Sequence, residues 1–297
     1  MGYTIVHVSV LKQEVISYLM QDTGIYVDAT FGAGGHTRAI LDSDPFCKVL
    51  GIDWDKDSLD QFGMLIHNDF TDRFIPVWGS FAHLYKLLNT QQKGSIKGIL
   101  ADFGTSFMQI HEKDGFSFGI DTPLDMRMSA SHFGQTAADF VNSLSEYELA
   151  QLIWDYGQDR YSRVIAKAIV QARKKKRFST TGQLVQVILS VCPWKKDTKI
   201  HPATRTFQAL RIRVNNELEN IKSFLKGAYD VLLPGGRIVC ISFHSLEDEL
   251  VKRFFKDYEQ LGHGTVITKK PVTPSDDELK QNRASRSAKL RVFQKKA

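Results

Sequence analysis

Strand and helix signals alternate over the first hundred residues, and this alternation limits the possible folds more than any other feature of the chain. Short apolar runs predict strands at residues 25–30, 49–53, 74–78 and 98–103. Amphipathic segments predict helices at residues 10–20, 36–41, 58–66 and 81–88. Strands separated by helices form a parallel sheet with helices on both faces and right-handed crossovers. The sequence therefore predicts an α/β fold.

A glycine-rich turn follows the first predicted strand and contains Gly32, Gly34 and Gly35, and Asp28 precedes it. A dinucleotide would bring its pyrophosphate to this turn, where a carboxylate repels it, and its usual glycine spacing is G-x-G-x-x-G. S-adenosylmethionine has no phosphate and carries a sulfonium and an ammonium, which suit a carboxylate. The turn therefore favours S-adenosylmethionine. The alternative is a tight connection that only needs positive φ.

Acidic residues also end the second and fourth predicted strands, at Asp53 and Asp102. Ligands of open α/β sheets bind at the carboxyl ends of the strands, so both acids are expected on the same rim as the glycine turn. Asp53 is placed to accept hydrogen bonds from ribose hydroxyls, and Asp102 to meet the adenine amino group or the acceptor nitrogen. Asp53 could instead cap a helix at residues 55–65, and Asp102 could cap the turn after its strand, and both interpretations stay open at this point.

The alternation stops after the fourth strand, and residues 109–204 have helical patterns without a strand pattern. One of these helices opens with the capping box Ser145-Glu-Tyr-Glu148. We predict that residues 109–204 are an inserted helical domain for substrate recognition, and that residues 1–108 and 205–297 form one discontinuous sheet domain.

The C-terminal part of the sheet domain is predicted to begin with one long helix, residues 205–233, ended by the Pro-Gly-Gly sequence at 234–236. A strand and a helix capped by Ser245 follow it. Two last strands should pair antiparallel at the edge of the sheet, with an exposed polar loop between them. These elements are expected at residues 237–242, 245–258, 265–268, 271–287 and 290–293.

The chain of 297 residues has a net charge of +6, and its excess cations are clustered. Such clusters favour a polyanionic partner such as nucleic acid, although each alone is also typical of a solvated helix end. The cations lie at residues 173–177, at Lys195, Lys196 and Lys199, and at Lys280, Arg283, Arg286, Lys289, Arg291, Lys295 and Lys296. The sequence shows no apolar run of the ~20 residues that a membrane span needs and no secretory signal, so we expect a cytoplasmic protein.

Cysteine and histidine spacing gives no metal pattern. Cys47, Cys192 and Cys240 are far apart, and neither a disulfide framework nor a zinc site is expected from them. His201 and His244 have no Cys or carboxylate at a ligand spacing, so no metal is predicted.

Several long motifs resemble the RsmH family, formerly called MraW. The resemblance begins with Asp28-x-Thr30-Phe-Gly-x-Gly-Gly-His36 and extends from residue 7 to residue 291. Its other motifs are Gly115-Phe-Ser-Phe118, Pro123-Leu-Asp-Met-Arg-Met128, His201-Pro-Ala-Thr-Arg-Thr-Phe-Gln-Ala-Leu-Arg211, Val214-Asn-x-Glu-Leu218, Ser242-Phe-His-Ser-Leu-Glu-Asp248 and Arg286-Ser-Ala-Lys-Leu-Arg291. The resemblance implies a Rossmann-like S-adenosylmethionine methyltransferase that modifies N4 of a cytidine in 16S ribosomal RNA of the small subunit.

Site residues follow from the loop and from the resemblance together. The loop itself predicts Asp28 and Gly32 as cofactor residues. The resemblance implies cofactor contacts at Gly34, Gly35, His36, Asp53, Phe81, Asp102 and Gln109. For the chemistry, Asp102 is the first candidate to accept a hydrogen bond from the attacking amino group, with Ser106 in support.

Substrate contacts are expected in the motifs of the second half of the resemblance. The candidates are Asp125, Arg127, Arg205, Gln208, Arg211, Asn215 and His244. An arginine here could pair with an RNA phosphate, or equally with Glu217 or Asp125. Phe116, Phe118 and Phe243 are candidates to stack on the extruded base, with the protein core as the alternative role.

The chain departs from the family pattern at Phe107, His111 and Asp114, beside the expected acceptor base. Three other functions stay open on the sequence: a non-catalytic RNA-binding factor, a nicotinamide-dependent oxidoreductase and a DNA amino-methyltransferase. The glycine loop with its acids disfavours the first two, and Asp102-Phe-Gly-Thr in place of an Asn/Asp-Pro-Pro-Tyr signature disfavours the third. The oligomeric state is left open, with a homodimer as one alternative.

Overall fold

The computed structural model describes residues 9–104, 113–194 and 200–297. The chain divides into two compact units. The sheet unit consists of Met1–Gly104 with Leu218–Ala297, and the helical unit is Thr105–Glu217. Within the described ranges, no helix has the length and apolar character required to cross a membrane.

The sheet unit contains a seven-stranded sheet in the order β3-β2-β1-β4-β5-β7-β6. The first five strands are parallel, and β7 runs antiparallel to both β5 and β6. The strands are β1 Ile25–Asp28, β2 Lys48–Asp53, β3 Phe74–Trp78, β4 Ile96–Asp102, β5 Leu232–Ser242, β6 Gly264–Val266 and β7 Lys289–Lys295. The α/β fold is confirmed, as is the antiparallel pairing of the last two strands.

Helices cover both faces of this sheet because successive side chains of a strand point to opposite faces. Tyr26 belongs to one buried cluster and Val27 to the other, and Leu50 and Val49 divide in the same way. The helices of the sheet unit are α1 Lys12–Leu19, α2 Gly35–Ser43, α3 Lys56–Ser58, α4 Met64–Asp69, α5 Leu84–Leu87, α11 Glu217–Val231, α12 Ser245–Gln260 and α13 Asp276–Gln281.

One predicted helix of the sheet unit contains an irregular segment, and two other local expectations were wrong. The helix predicted at 58–66 is α3 and α4 joined by a π-helical segment, Leu59–Gly63. The cap of α12 is His244 rather than Ser245, because Glu247 at the third helical position completes a capping box with His244. The predicted loop at 271–287 contains α13 and a 3₁₀ helix, Arg283–Ser287.

The helical unit contains α6 Ala137–Ser143, α7 Glu146–Gly157, α8 Ser162–Lys175, α9 Thr181–Val191 and α10 Ala203–Val214. The capping box of Ser145 and Glu148 is present as predicted at the start of α7. A second one, Thr136 with Asp139, opens α6. Apolar faces of all five helices meet in one buried cluster.

The long helix predicted at 205–233 is two helices, α10 and α11 (Glu217–Val231). The break lies at Asn215 and Asn216, and Asn216 has a positive φ of 50° that a continuous helix excludes. Because Phe207 and Leu210 of α10 pack in the core of the helical unit, this unit ends at Glu217 rather than at residue 204. After α11 the chain enters β5, so the Pro-Gly-Gly sequence at 234–236 lies within a strand.

Candidate active site

The glycine turn connects β1 to α2 at the carboxyl end of the sheet. Gly32 and Gly34 have positive φ values of 53° and 76°, and Gly34 is the N-cap of α2. A Cβ atom on Gly34 would lie 2.9 Å from the Phe31 ring, and one on Gly35 would collide with the Ser9 hydroxyl. The backbone conformation and the close packing both require glycine, and the turn exposes helix N–H groups toward the rim of the sheet.

Asp28 supports this turn from inside. The side chain is fully buried, and its Oδ2 accepts a hydrogen bond of 2.7 Å from the Thr37 hydroxyl. Its Oδ1 accepts one of 3.2 Å from the Thr30 backbone N–H. Burial raises the pKa of Asp28 above its usual value. With no exposed surface, Asp28 does not offer the direct contact with a cationic ligand that the sequence suggested, and it acts by holding the loop.

Asp53 lies at the end of β2 and reaches the same turn. Its Oδ2 accepts a hydrogen bond of 2.7 Å from Gly32 N–H, and its Oδ1 accepts one of 2.9 Å from Asp55 N–H. Asp55, whose side chain accepts from Asp57 N–H, is the N-cap of α3. The helix-cap alternative for Asp53 is therefore wrong. A carboxylate offers about four lone-pair directions, so Asp53 retains capacity for hydroxyl donors.

Burial raises the pKa of Asp53 to about 6. Its two backbone hydrogen bonds act in the opposite direction, but desolvation is the larger effect. The carboxylate form therefore dominates at neutral pH, and the group titrates close to the physiological range.

His36 and Asp102 lie side by side beneath the turn. The His36 Nε2 atom is 3.7 Å from Asp102 Oδ2, and their side chains are 7% and 22% exposed. Within the described ranges, both ring nitrogens of His36 and the Oδ1 atom of Asp102 are buried without a hydrogen-bond partner. The backbone N–H of Asp102 donates to the Thr30 hydroxyl over 2.7 Å. Buried polar atoms are nearly always paired, so this cluster has the character of a site for a polar ligand.

Phe81 provides an aromatic surface near the end of β3. Its ring centroid lies 5.9 Å from those of Trp54 and Phe103 and 5.7 Å from that of Phe224. Phe81 is half-buried against the apolar cluster that contains two of these rings. Its position suits both roles considered from the sequence, a core contact and an apolar wall.

Two threonines of this site were missed by the sequence analysis. Thr30 accepts from Asp102 N–H and donates its own N–H to Asp28, so it connects the ends of β1 and β4. Thr37 donates its hydroxyl to Asp28 from the first turn of α2. Thr30 could have been identified from the sequence, because it is part of the family motif at residues 28–36. Thr37 lies just after that motif and had no such signal.

Several predicted residues fall outside the described ranges. They are Ser106, Gln109, the departures Phe107 and His111, and the cations Lys195, Lys196 and Lys199. Asp114 is described and is an exposed residue whose carbonyl accepts from Met126 N–H over 3.0 Å.

In the helical unit, the structure pairs the predicted substrate residues with one another. Asp125 and Arg127 form a bidentate ion pair with distances of 2.7 and 2.8 Å. Arg211 forms another with Glu217, at 2.9 and 3.0 Å. Arg211 thus has Glu217, one of the internal partners that the sequence offered as an alternative to an RNA phosphate.

Asn215 is fully buried, and both ends of its amide are used. Its Nδ2 group donates to the carbonyls of Met126 and Arg211 over 2.8 and 2.9 Å, and its Oδ1 accepts from Met128 N–H over 2.8 Å. The side chain therefore fastens the segment at 126–128 to the end of α10. In this conformation Asn215 has no surface for the substrate contact that the sequence suggested.

The next two candidates on α10 are more accessible. Arg205 is exposed and donates from Nη1 to the Gln158 carbonyl over 3.0 Å. Gln208 is half-buried and donates to the Tyr156 carbonyl over 3.0 Å.

His244 and two of the stacking candidates have structural contacts. His244 caps α12 with its Nδ1, which accepts from Glu247 N–H. Phe118 stacks on His201 at 4.8 Å and packs edge-on against Phe207. Phe243 is half-buried beside Gly104.

Three of the seven C-terminal cations, Lys289, Arg291 and Lys295, are buried or half-buried and have partners within the sheet unit. The other four, Lys280, Arg283, Arg286 and Lys296, are exposed, so for them the polyanion-binding block stays a prediction. Arg291 is buried in an ion pair with Asp248, at 2.6 Å, and Lys289 contacts the same carboxylate at 3.2 Å. Lys295 donates to the carbonyls of Tyr229 and Leu232. These cations neutralise buried acceptors of the sheet unit.

The MraW methylase family matches residues 4–296 of the chain. The chain belongs to the MraW methylase family. Its relatives include a Ribosomal RNA small subunit methyltransferase H from Carboxydothermus hydrogenoformans, which is 44% identical over 306 residues, covering 97% of each protein. The protein of the same name from Sulfurihydrogenibium sp. is 46% identical over 288 residues, covering 96% of this chain and 98% of the relative. The family suggested by the sequence motifs is thus confirmed.

A solved structure of a putative rRNA methylase from Clostridium thermocellum is also similar to this member of the MraW methylase family. The identity is 12% and the TM-score 0.45, with 96% of this chain and 93% of that chain covered. A likeness at this level says nothing about substrate.

Proposed function

We propose that this protein transfers the methyl group of S-adenosylmethionine to the exocyclic N4 of a cytidine in 16S ribosomal RNA of the small subunit. Membership of the MraW methylase family, with full-length relatives named for small-subunit RNA methylation, supports the reaction. One structural observation supports its location. At the tips of β1, β2 and β4, a glycine turn lies beside buried polar atoms of His36 and Asp102 that no described residue pairs.

The residues present fit S-adenosylmethionine. Gly32 and Gly34 give the turn its positive φ values, and Gly34 and Gly35 allow the start of α2 to pack closely against Phe31 and Ser9. Asp53 would accept the ribose hydroxyls, and Phe81 would lie against the adenine. Gln109 stays a proposed contact of the same ligand. Asp28 contributes by fixing the loop.

Asp102 and His36 are the proposed polar contacts closest to the chemistry. S-adenosylmethionine, when bound, supplies a methyl group that is already activated, so the protein mainly positions the acceptor and excludes water. The Asp102 carboxylate, whose side chain is 22% exposed, would accept a hydrogen bond from the cytosine amino group, which localises the nitrogen lone pair and stabilises the growing positive charge. Ser106 is proposed to support this contact. The proton can leave after methyl transfer, so no general base is needed.

Among the candidate RNA contacts of the helical unit, those already paired within the unit are less suited to bind RNA directly. Arg205 keeps donors for a phosphate, and Gln208 lies beside it on the same helix. The pairs Asp125 with Arg127 and Arg211 with Glu217 would act by shaping the surface around them. Phe116 and Phe118 stay proposed stacking partners of the extruded base, as do Phe243 and, for polar contact, His244.

Two further points belong to the proposal. A homodimer is a prediction that light scattering of the purified protein tests directly. A protein that acts on ribosomal RNA is also expected in the cytoplasm, and fractionation of cells tests this prediction.

The experiment uses labelled S-adenosylmethionine and small ribosomal subunits that lack the mark. After incubation, the RNA is digested and the labelled nucleoside is identified by mass spectrometry. We expect N4-methylcytidine with the wild-type protein, and with Asp102→Ala a loss of label much larger than the loss of S-adenosylmethionine affinity measured by calorimetry. Label on another nucleoside would overturn the proposed acceptor. Absence of any binding would favour the non-catalytic RNA-binding factor.

A further inference from the structure

One exposed stripe of cations runs along helix α8 of the helical unit. Arg163, Lys167 and Lys174 are all exposed, and we call these three residues the α8 stripe. At 3.6 residues per turn they fall within about 40° of one another around the helix axis, and they span about 16 Å along it. In the sequence only the consecutive cations at 173–177 form a visible block, because apolar residues separate Arg163 and Lys167 from it.

No acidic residue interrupts this surface along the chain. Every charged residue from Arg160 to Arg177 is Lys or Arg. Among the residues that the structure describes, none forms an ion pair with a member of the α8 stripe. The stripe therefore presents positive charge that no acidic residue of the described ranges neutralises in an ion pair.

Helix stability does not explain the stripe. Cations in the last turn, such as Lys174, are favoured by the helix dipole, but Arg163 lies in the first turn, where the dipole disfavours a cation. Helix α7 of the same unit has the acidic first turn that the helix dipole favours, with Glu146 and Glu148, although its last turn has no cation. Helix α8 has no acidic residue in its first turn at all.

Nearby cations with another role are excluded from the stripe. Arg173 is half-buried and donates to the Val141 carbonyl over 2.7 Å, so it holds α8 against the rest of the unit. Arg177 lies in the field of the Asp139 carboxylate. The three residues of the stripe have no such partner in the described ranges, and Gln171 continues their exposed face without adding charge.

We propose that the α8 stripe binds the sugar-phosphate backbone of the ribosomal RNA substrate. The inference rests on the proposed function for the identity of the polyanion, and it adds the surface that holds it. A straight row of unpaired cations is complementary to a row of phosphates, and such contacts position a nucleic acid without reading its bases. The stripe should therefore set affinity and salt dependence, but not the choice of nucleotide.

The test measures binding of a small-subunit RNA fragment as a function of salt. The variant Arg163→Gln with Lys167→Gln and Lys174→Gln is compared with a control of equal charge change, Lys222→Gln with Lys252→Gln and Arg253→Gln. The control cations are exposed, lie on helices and contact Glu219, Glu249 and Asp257. Thermal melts establish that both triple variants are folded, and the single variant Lys167→Gln provides a milder change.

The slope of log K against log salt is negative, and each phosphate contact on a single strand contributes about −0.7 to it. Loss of three contacts should therefore make the slope less steep by about 2. Lys167→Gln alone should make it less steep by about 0.7. The control variant should keep the wild-type slope. Equal slopes for the stripe and control variants would overturn the proposal. It would also be overturned if the stripe variant lost as much affinity for polyglutamate as for RNA, since that result would indicate a site for acidic protein.

Methyl transfer separates this inference from the proposed function. At saturating RNA, the stripe variant should keep the wild-type kcat while its KM for RNA rises. If the wild-type protein transfers no methyl group, the proposed function fails, and the salt slopes still decide whether the stripe binds RNA.

Discussion

His36 and Asp102 of the sheet unit differ from Arg211 and Asn215 of the helical unit in what their polar atoms do. At the strand tips of the sheet unit, His36 and Asp102 keep buried polar atoms that no described residue pairs. In the helical unit, the motif residues Arg211 and Asn215 have their hydrogen bonds filled by neighbours within the unit. Both sets belong to motifs of the same family. Under the proposed function, His36 and Asp102 meet the ligand, whereas Arg211 and Asn215 hold their own unit together.

The largest effect is expected at Asn215, which should behave as a structural residue. Asn215→Ala leaves the Met126 carbonyl and the Met128 N–H without their partner, whereas the Arg211 carbonyl keeps the backbone N–H of residue 215. We expect the free energy of unfolding to fall by about 3 kcal/mol, since each unsatisfied buried group costs roughly 1–3 kcal/mol. Denaturant or thermal unfolding measures it.

The control for this prediction is Gln171→Ala, an exposed helical position in the same unit. It should change stability by less than about 0.5 kcal/mol. If Asn215→Ala kept full stability and lost only RNA affinity, Asn215 would be a substrate contact and the comparison would fail.

Next in size is Gly34→Ala in the cofactor loop. Its φ of 76° disfavours an L-residue by roughly 1–2 kcal/mol, and the added Cβ meets the Phe31 ring at 2.9 Å. We expect a loss of about 2 kcal/mol in S-adenosylmethionine binding or stability, measured by calorimetry and melting. Gly134→Ala is the matched control, since a Cβ there meets no described atom within 4 Å. Equal behaviour of the two variants would remove the conformational argument for the loop.

The pH dependence of cofactor binding tests Asp53. Its pKa of about 6 means that the carboxylate, the form that accepts hydroxyl donors, prevails above pH 6 and is lost as the pH falls below it. Affinity should be full near pH 7.5 and about tenfold weaker at pH 5, or about 1.4 kcal/mol. Asp53→Asn should abolish this pH dependence. A profile that Asp53→Asn leaves unchanged would assign the titration to another group.

The smallest effect is expected for Arg211→Lys. A lysine cannot reproduce the bidentate contact with Glu217, so stability should fall by about 1 kcal/mol. Arg253→Lys, an exposed position 4.0 Å from Asp257, should have no measurable effect. If Arg211→Lys weakened RNA binding at unchanged stability, Arg211 would be a phosphate ligand instead.

Much of the sheet unit could be predicted because its signals are local. The strand at Phe74–Trp78 was predicted at its observed bounds, and the others differ mainly at their ends. Parallel strands covered on both faces are continuous apolar runs, which the sequence displays directly. The break between α10 and α11 was missed, because the apolar spacing continues across it and only the left-handed backbone of Asn216 interrupts the helix.

The sequence by itself determined the α/β fold, the glycine turn with its acids, and the family. These depend on residues close together in the chain or on motifs that need no partner. Tertiary structure decided which motif residues have spare hydrogen bonds. Asn215 meets Met128 across 87 positions, and Asp53 meets Gly32 across 21. A hydrogen bond depends on distance in space, which residue order alone does not specify.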